Sequence, residues 1–147
     1  MNKSISIDPV TRIEGHARVF INVSESGAIE SAGLVVNELR GFERILVGME
    51  ADRMPLVTAR ICGVCPTAHH LAASRALDYA AGVDPPPAAH LLRELMFMGH
   101  MIHSHCLSLF VLQGPDLVLG LDADPAIRNI VGVVKAVPEV AKKALRC

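Results

Sequence analysis

The residues with the clearest chemical potential lie in one short string, Arg60-Ile61-Cys62-Gly63-Val64-Cys65-Pro66-Thr67-Ala68-His69. Two thiols three positions apart can face one ion together, and Cys65 and His69 are one helical turn apart. Pro66 suits the first turn of a helix, because its missing N–H would have no partner there. Unpaired amides at such a helix start favour an anionic sulfur, the form that binds metal. Gly63 lets the backbone turn closely between the sulfurs. Soft thiolates select soft or borderline metals over magnesium or calcium. Taken alone, the Cys-x-x-Cys pair leaves three readings open: a thiol–disulfide redox pair, half of a zinc site, or two inert buried thiols.

These side chains must be positioned by the elements around them. The first forty residues alternate as strands do, with Val19, Ile21 and Val23 on one face and Arg18, Phe20 and Asn22 on the other. Ser24-Glu25-Ser26-Gly27 has turn chemistry and Ile29 to Val36 forms a second apolar run, so an antiparallel hairpin is expected. After Gly41 the period becomes helical. One helix is expected from Pro66 to Gly82 and a second from about Ala88 to Gln113, ended by Gly114-Pro115. Asp124-Pro125 reads as a further cap and first-turn pair, and Pro138 divides the remainder into two short helices. The expected fold class is α+β: a small N-terminal antiparallel β-sheet followed by a mainly α-helical part. The whole chain, 1–147, reads as a single domain, with a hairpin region at 1–40 and a helical region at 41–147.

Hydrophobic residues make up 51% of the 147 and charged residues 20%, so part of the surface is expected to meet another chain. One Tyr, four Phe and no Trp supply few stacking platforms, and a net charge of −1 provides no steering toward phosphate. Nucleic acid is therefore not an expected partner. Leu95 to Pro115 lacks charged residues but contains three histidines, Ser104, Ser108 and Gln113, which favours a buried helix over a membrane span. The start has no apolar stretch resembling a signal peptide, and the chain reads as cytoplasmic. His70, His100, His103 and His105 read as buried, hydrogen-bonded histidines, Met96, Met98 and Met101 as packing, and Cys106 as a small buried hydrophobe.

The string Arg-x-Cys-Gly-x-Cys-x-x-x-His at positions 60 to 69 resembles the N-terminal metal-binding signature of nickel–iron hydrogenase large subunits. Two more stretches match in the right order: Asp8-Pro9-Val10-Thr11-Arg12-Ile13-Glu14-Gly15-His16 and Arg40-Gly41-Phe42-Glu43. Met101-Ile102-His103-Ser104-His105 and Gly114-Pro115-Asp116 look most like the cytoplasmic, multisubunit branch of the family. Carried over, the resemblance makes Cys62 a terminal nickel ligand, Cys65 a thiolate bridging nickel to iron, and His69 a donor near the bridging sulfur. It makes Glu14 a proton relay and Glu43 a carboxylate that helps to hold magnesium. On the residues alone, Glu14 can instead pair with Arg12 or Arg18, and Glu43 with Arg40.

The reaction so implied is the heterolytic splitting of dihydrogen at a nickel–iron centre. Electrons would pass to iron–sulfur clusters on a small subunit, then to further electron-transfer subunits. The family pattern also needs a second cysteine pair, in an Asp-Pro-Cys-x-x-Cys-x-x-His context, which these residues lack. Cys106 lies within the long helix and Cys147 has no partner at that spacing. The chain therefore reads as a truncated, split or incompletely sequenced half-site, whose missing pair a second polypeptide could supply. The rival readings are a non-catalytic fragment that keeps a subunit-docking surface and a metal-free thiol–disulfide protein working through Cys62 and Cys65.

Overall fold

The computed structural model describes residues 3–144, so Cys147 lies outside the described residues. The chain divides into two compact units, one running to Gly41 and one from Phe42 onward.

The first unit is a three-stranded antiparallel sheet in the order β1-β2-β3, formed by Lys3–Ile7, Ala17–Val23 and Ile29–Val36. The hairpin β2–β3 is the expected one, with Ala17 opposite Val36 and Ile21 opposite Ala32. Its turn closes with Ser24 N–H donating to the Ala28 carbonyl at 2.8 Å and Gly27 N–H to the Ser24 carbonyl at 3.0 Å. The sequence reading did not separate out β1. This strand pairs Ile5 with Ile21 and Ile7 with Val19, so its place is set by residues a long loop away. Gly33 of β3 lies under the Phe20 ring, where an added Cβ would come within 2.6 Å of ring carbons. The Phe20 ring can lie across β3 there because Gly33 has no side chain to displace it.

The second unit holds seven helices among the described residues. Short α1 (Phe42–Leu46) and a 3-10 turn (Ala51–Arg53) lead to α2 (Met54–Thr58). Helix α3 spans Pro66–Ala81, and Gly82 ends it with φ 65°, a left-handed cap that costs glycine little. Val83 N–H completes the cap by donating to the Asp78 carbonyl at 3.0 Å. Helix α4 spans Pro87–Leu107 and is tied to α3 by Arg93, whose guanidinium grips the Asp78 carboxylate with both terminal nitrogens. That hydrogen bonding holds the Asp78 carboxyl below its ordinary range.

Three expectations need correction here. The long helix does not stop at Gly114-Pro115. It passes through a π-helical segment, Ser108–Gln113, into α5 (Gly114–Leu119). Proline can continue a helix where it starts a new register, and Pro115 sits in the first turn of α5, fully buried. Second, the apolar helix is not buried in this chain: Leu91, Leu92, Leu95 and Ile102 are each about two-thirds exposed. Pro87–Leu119 is long and apolar enough to cross a membrane by length and composition, and no residue of its most apolar window is fully buried. Among the described residues α3 packs on α4, and much of the apolar face of α4 stays exposed. Third, Asp124-Pro125 forms a turn rather than a helix start, with the Ala126 N–H donating to the Asp124 carboxylate at 2.9 Å. The cap is Asn129, whose side chain accepts the Gly132 N–H at 3.1 Å and opens α6 (Ile130–Ala136). Pro138 then starts α7 (Pro138–Ala144), as expected.

The α5–α6 corner contains most of the buried residues of the second unit, including Gly114, Pro115 and Val133. A Cβ added at Gly132 would fall 1.8 Å from the Ile127 carbonyl oxygen, a backbone atom that cannot swing away. Gly132→Ala is therefore expected to destabilise the chain by about 3 kcal/mol, the upper end for overpacking, measured by urea unfolding. Helix propensity alone predicts the opposite sign, a gain of about 1 kcal/mol for alanine. A more stable variant would show that this close contact is absent.

Candidate metal centre

The loop between α2 and α3 carries the two cysteines, and its local folding follows from its ends. Arg60 N–H donates to the Val57 carbonyl and Ile61 N–H to the Thr58 carbonyl, both at 3.0 Å, so the chain leaves α2 in a tight turn. Cys65 then occupies the N-cap position of α3 with Pro66 behind it, and its side chain makes no capping bond. Instead, the Cys65 backbone N–H donates to the Cys62 sulfur at 3.2 Å.

The result is one cluster. The ligand atoms of Cys62, Cys65 and His69 all lie within 4.8 Å of one another, and all three residues are half-buried. Among the described residues this is the one group of three or more such side chains placed to hold a metal ion. Both sulfurs are on the same side of the loop. Two soft sulfurs and an imidazole nitrogen are a donor set that fits nickel and iron and does not fit magnesium.

The other residues named from sequence are outside this group of three. Glu43 is exposed in the first turn of α1 and is not part of the cluster. Glu14 is exposed in the loop between β1 and β2, in the other unit. That loop is tightly braced. Arg12 has φ 64° and Gly15 φ 85°, Val10 N–H donates to the Ala17 carbonyl at 2.8 Å, and Asn37 N–H donates to the His16 carbonyl at 2.8 Å. The Glu38 carboxylate accepts the His16 ring Nδ1–H at 2.9 Å and also its backbone N–H. The ring hydrogen bond, reinforced by the backbone one, holds the Glu38 carboxyl below its ordinary range. Glycine suits position 15 because its φ of 85° strains an L side chain, and a Cβ would also press on the Glu38 carboxylate oxygen at 3.0 Å.

The histidines and Cys106 are less buried than expected. His103 and His105 are exposed and His100 and Cys106 are half-buried, because α4 has so little packed against it. Met96 and Met98 are likewise exposed. Sequence reasoning missed two contacts next to the cysteine loop. Thr58, a buried polar residue, donates its hydroxyl to the Met54 carbonyl at 2.8 Å and reaches the His69 carbonyl at 3.3 Å. The His70 ring nitrogen Nδ1 lies 3.0 Å from the Pro55 carbonyl, so that nitrogen carries the proton. Nothing in the local pattern marks either residue, since the Thr58–His69 and His70–Pro55 contacts join α2 to α3.

Comparison with known proteins places this geometry in a family. Residues 40–141 match the family described as nickel-dependent hydrogenase, and residues 4–39 match one described as HoxL-like. The chain is 54% identical over 141 residues to the vhu F420-non-reducing hydrogenase of Methanococcus voltae, covering 96% of this chain and 34% of that one. It is 36% identical over 151 residues to the NAD-reducing hydrogenase HoxS subunit beta of Cupriavidus necator, covering 99% of this chain and 31% of the relative. A crystal structure of an NAD+-reducing NiFe-hydrogenase in the H2-reduced state superposes with a TM-score of 0.82 at 43% identity, over 97% of this chain and 32% of that one. The chain thus spans about a third of the length of these relatives. The three donors gathered at the head of α3, the sheet-then-helices order and these matches lead to one assignment: the chain belongs to the nickel-dependent hydrogenase large-subunit family and corresponds to the N-terminal part of that fold.

Proposed function

We propose that this chain is the N-terminal half-site of a nickel–iron hydrogenase that catalyses reversible heterolytic cleavage of dihydrogen. The observation that carries this reading is the convergence of Cys62, Cys65 and His69 within 4.8 Å at the head of α3, in a chain of this family. Cys62 and Cys65 would hold the nickel–iron pair through their sulfurs. When bound, the metal pair supplies the Lewis acidity and redox capacity that splitting dihydrogen needs.

The rest is the work of the chain's own side chains. The Cys65 amide, by donating to the Cys62 sulfur, offsets negative charge on that thiolate. His69, one turn into α3, offers a ring nitrogen beside the sulfurs and orients them. The Glu14 carboxylate takes up the proton that leaves the site and hands it outward. Glu43 provides a hard oxygen for magnesium. Residues 1–147 act as a single domain of the large subunit. The C-terminal cysteine pair comes from a second chain or segment, and an iron–sulfur small subunit with further electron-transfer subunits receives the electrons. The complex is cytoplasmic, as expected for the multisubunit branch.

Metal analysis of the chain co-purified with its partners tests this. Nickel and iron near one each per chain are expected. Their absence from an intact complex would leave a docking fragment, and a dithiol that cycles without metal would point to thiol–disulfide chemistry.

A further inference from the structure

We infer that Thr58 and His70 are positioning residues that clamp the cysteine loop into its ligand-ready shape before any metal binds. The inference deepens the metal-site reading and rests on it for its purpose, although not for its geometry.

The loop from Ala59 to Cys65 leaves α2 and enters α3. A loop of this length would ordinarily let two thiols wander, at an entropic cost to be met when an ion gathers them. Two side-chain bonds hold its ends together instead. The single hydroxyl proton of Thr58, the last residue of α2, is shared between the Met54 carbonyl at 2.8 Å and the His69 carbonyl at 3.3 Å. The second contact attaches the backbone of a candidate ligand residue directly to α2. His70 then reaches back from α3 to the Pro55 carbonyl at 3.0 Å. The two contacts run in opposite directions, one from each helix, across the mouth of the same loop. Thr58 is largely buried, so breaking these bonds would leave its hydroxyl poorly solvated.

Between the anchored ends, the Cys65 N–H reaches the Cys62 sulfur at 3.2 Å, a contact that requires the loop to be folded already. His70 also walls a cavity of about 230 Å³ with Ala59, Pro66, Thr67 and Met96. Truncating it to alanine would enlarge that space and confuse lost packing with a lost hydrogen bond. Leucine and asparagine are better replacements, because asparagine keeps an N–H near the Nδ1 position and leucine does not.

The test uses the 147-residue chain, reduced and anaerobic, as Thr58→Val, Thr58→Ser, His70→Leu, His70→Asn and the Thr58→Val/His70→Leu pair. Amide hydrogen exchange in the metal-free chain is read first. The double variant is expected to lose protection at least about tenfold at residues 62 to 69, with β2, β3 and α4 unchanged. Titration with cobalt(II), followed by thiolate charge-transfer absorption, is read second. Its dissociation constant is expected to rise about 10–100-fold in the double variant, the range for partners that orient ligands. Thr58→Ser and His70→Asn are expected to restore both readouts, which a general loss of packing would not allow. Exchange that is unchanged in the double variant overturns the clamp whatever the cobalt result. Local loss of protection with no cobalt binding even in the parent chain supports the clamp and counts against metal binding by these three donors alone.

Discussion

Cys65→Ser is expected to strip the chain of metal while leaving its helices in place. Serine is nearly isosteric, but its hydroxyl is a hard, protonated donor where a soft anionic one is required. The backbone contact that folds the loop survives the change, because it is the Cys65 amide, not its side chain, that donates to Cys62. The expected loss therefore falls on binding rather than folding. Removing a partner that only orients a ligand costs about 10–100-fold in affinity, and losing the ligand itself should exceed that, on the order of a thousandfold or more. Cobalt(II) titration of the reduced chain, with circular dichroism as the folding control, measures it. Affinity within tenfold of the parent chain would remove Cys65 from the site. Cys62→Ser is the less clean experiment, because it also replaces the sulfur that accepts the amide.

The second large effect is expected from Glu14→Gln in the complete enzyme. Glutamine keeps the size and hydrogen-bonding reach of glutamate but cannot carry a proton away. General acid–base groups contribute about 10²–10⁴-fold, so hydrogen turnover should fall by that order while nickel and iron contents stay constant. The bonds that brace this loop, Val10 to Ala17, Asn37 to His16 and His16 to Glu38, do not use the Glu14 side chain. The loop should hold its shape in the variant. Turnover within a few-fold of the parent would assign the proton route to another residue.

The features that could be read from sequence were those set by local chemistry. Pro66 and Gly82 bracket α3 because a proline at the start and a left-handed glycine at the end act within a turn of themselves. The turn at Ser24 to Gly27 and the division at Pro138 were equally local. The grouping of Cys62, Cys65 and His69 was legible for the same reason, since three donors on one tight turn and one helical turn have little room to separate. Most of the misses depend on distant partners, and the cap at Asn129 is the local exception. Strand β1 is short, and it is identified as a strand by its pairing with β2. The exposure of α4 depends on what packs on it, which periodicity cannot report. Asn129 displaced Asp124 as the cap because Gly132, three residues on, offered its amide to that side chain and not to the earlier one. Thr58 and His70 belong to the same class, as their partners lie across a loop in another helix.

The π-helical stretch at Ser108–Gln113 amounts to one extra residue wound into an otherwise regular rod, and it rotates everything after it by about 100°. A deletion of one residue there would let α4 run into α5 in a single phase, turning Pro115 and Gly114 away from the corner where α6 receives them. The spare residue thus acts as a fixed twist: it lets one apolar rod offer α4 to one set of neighbours while α5 faces another.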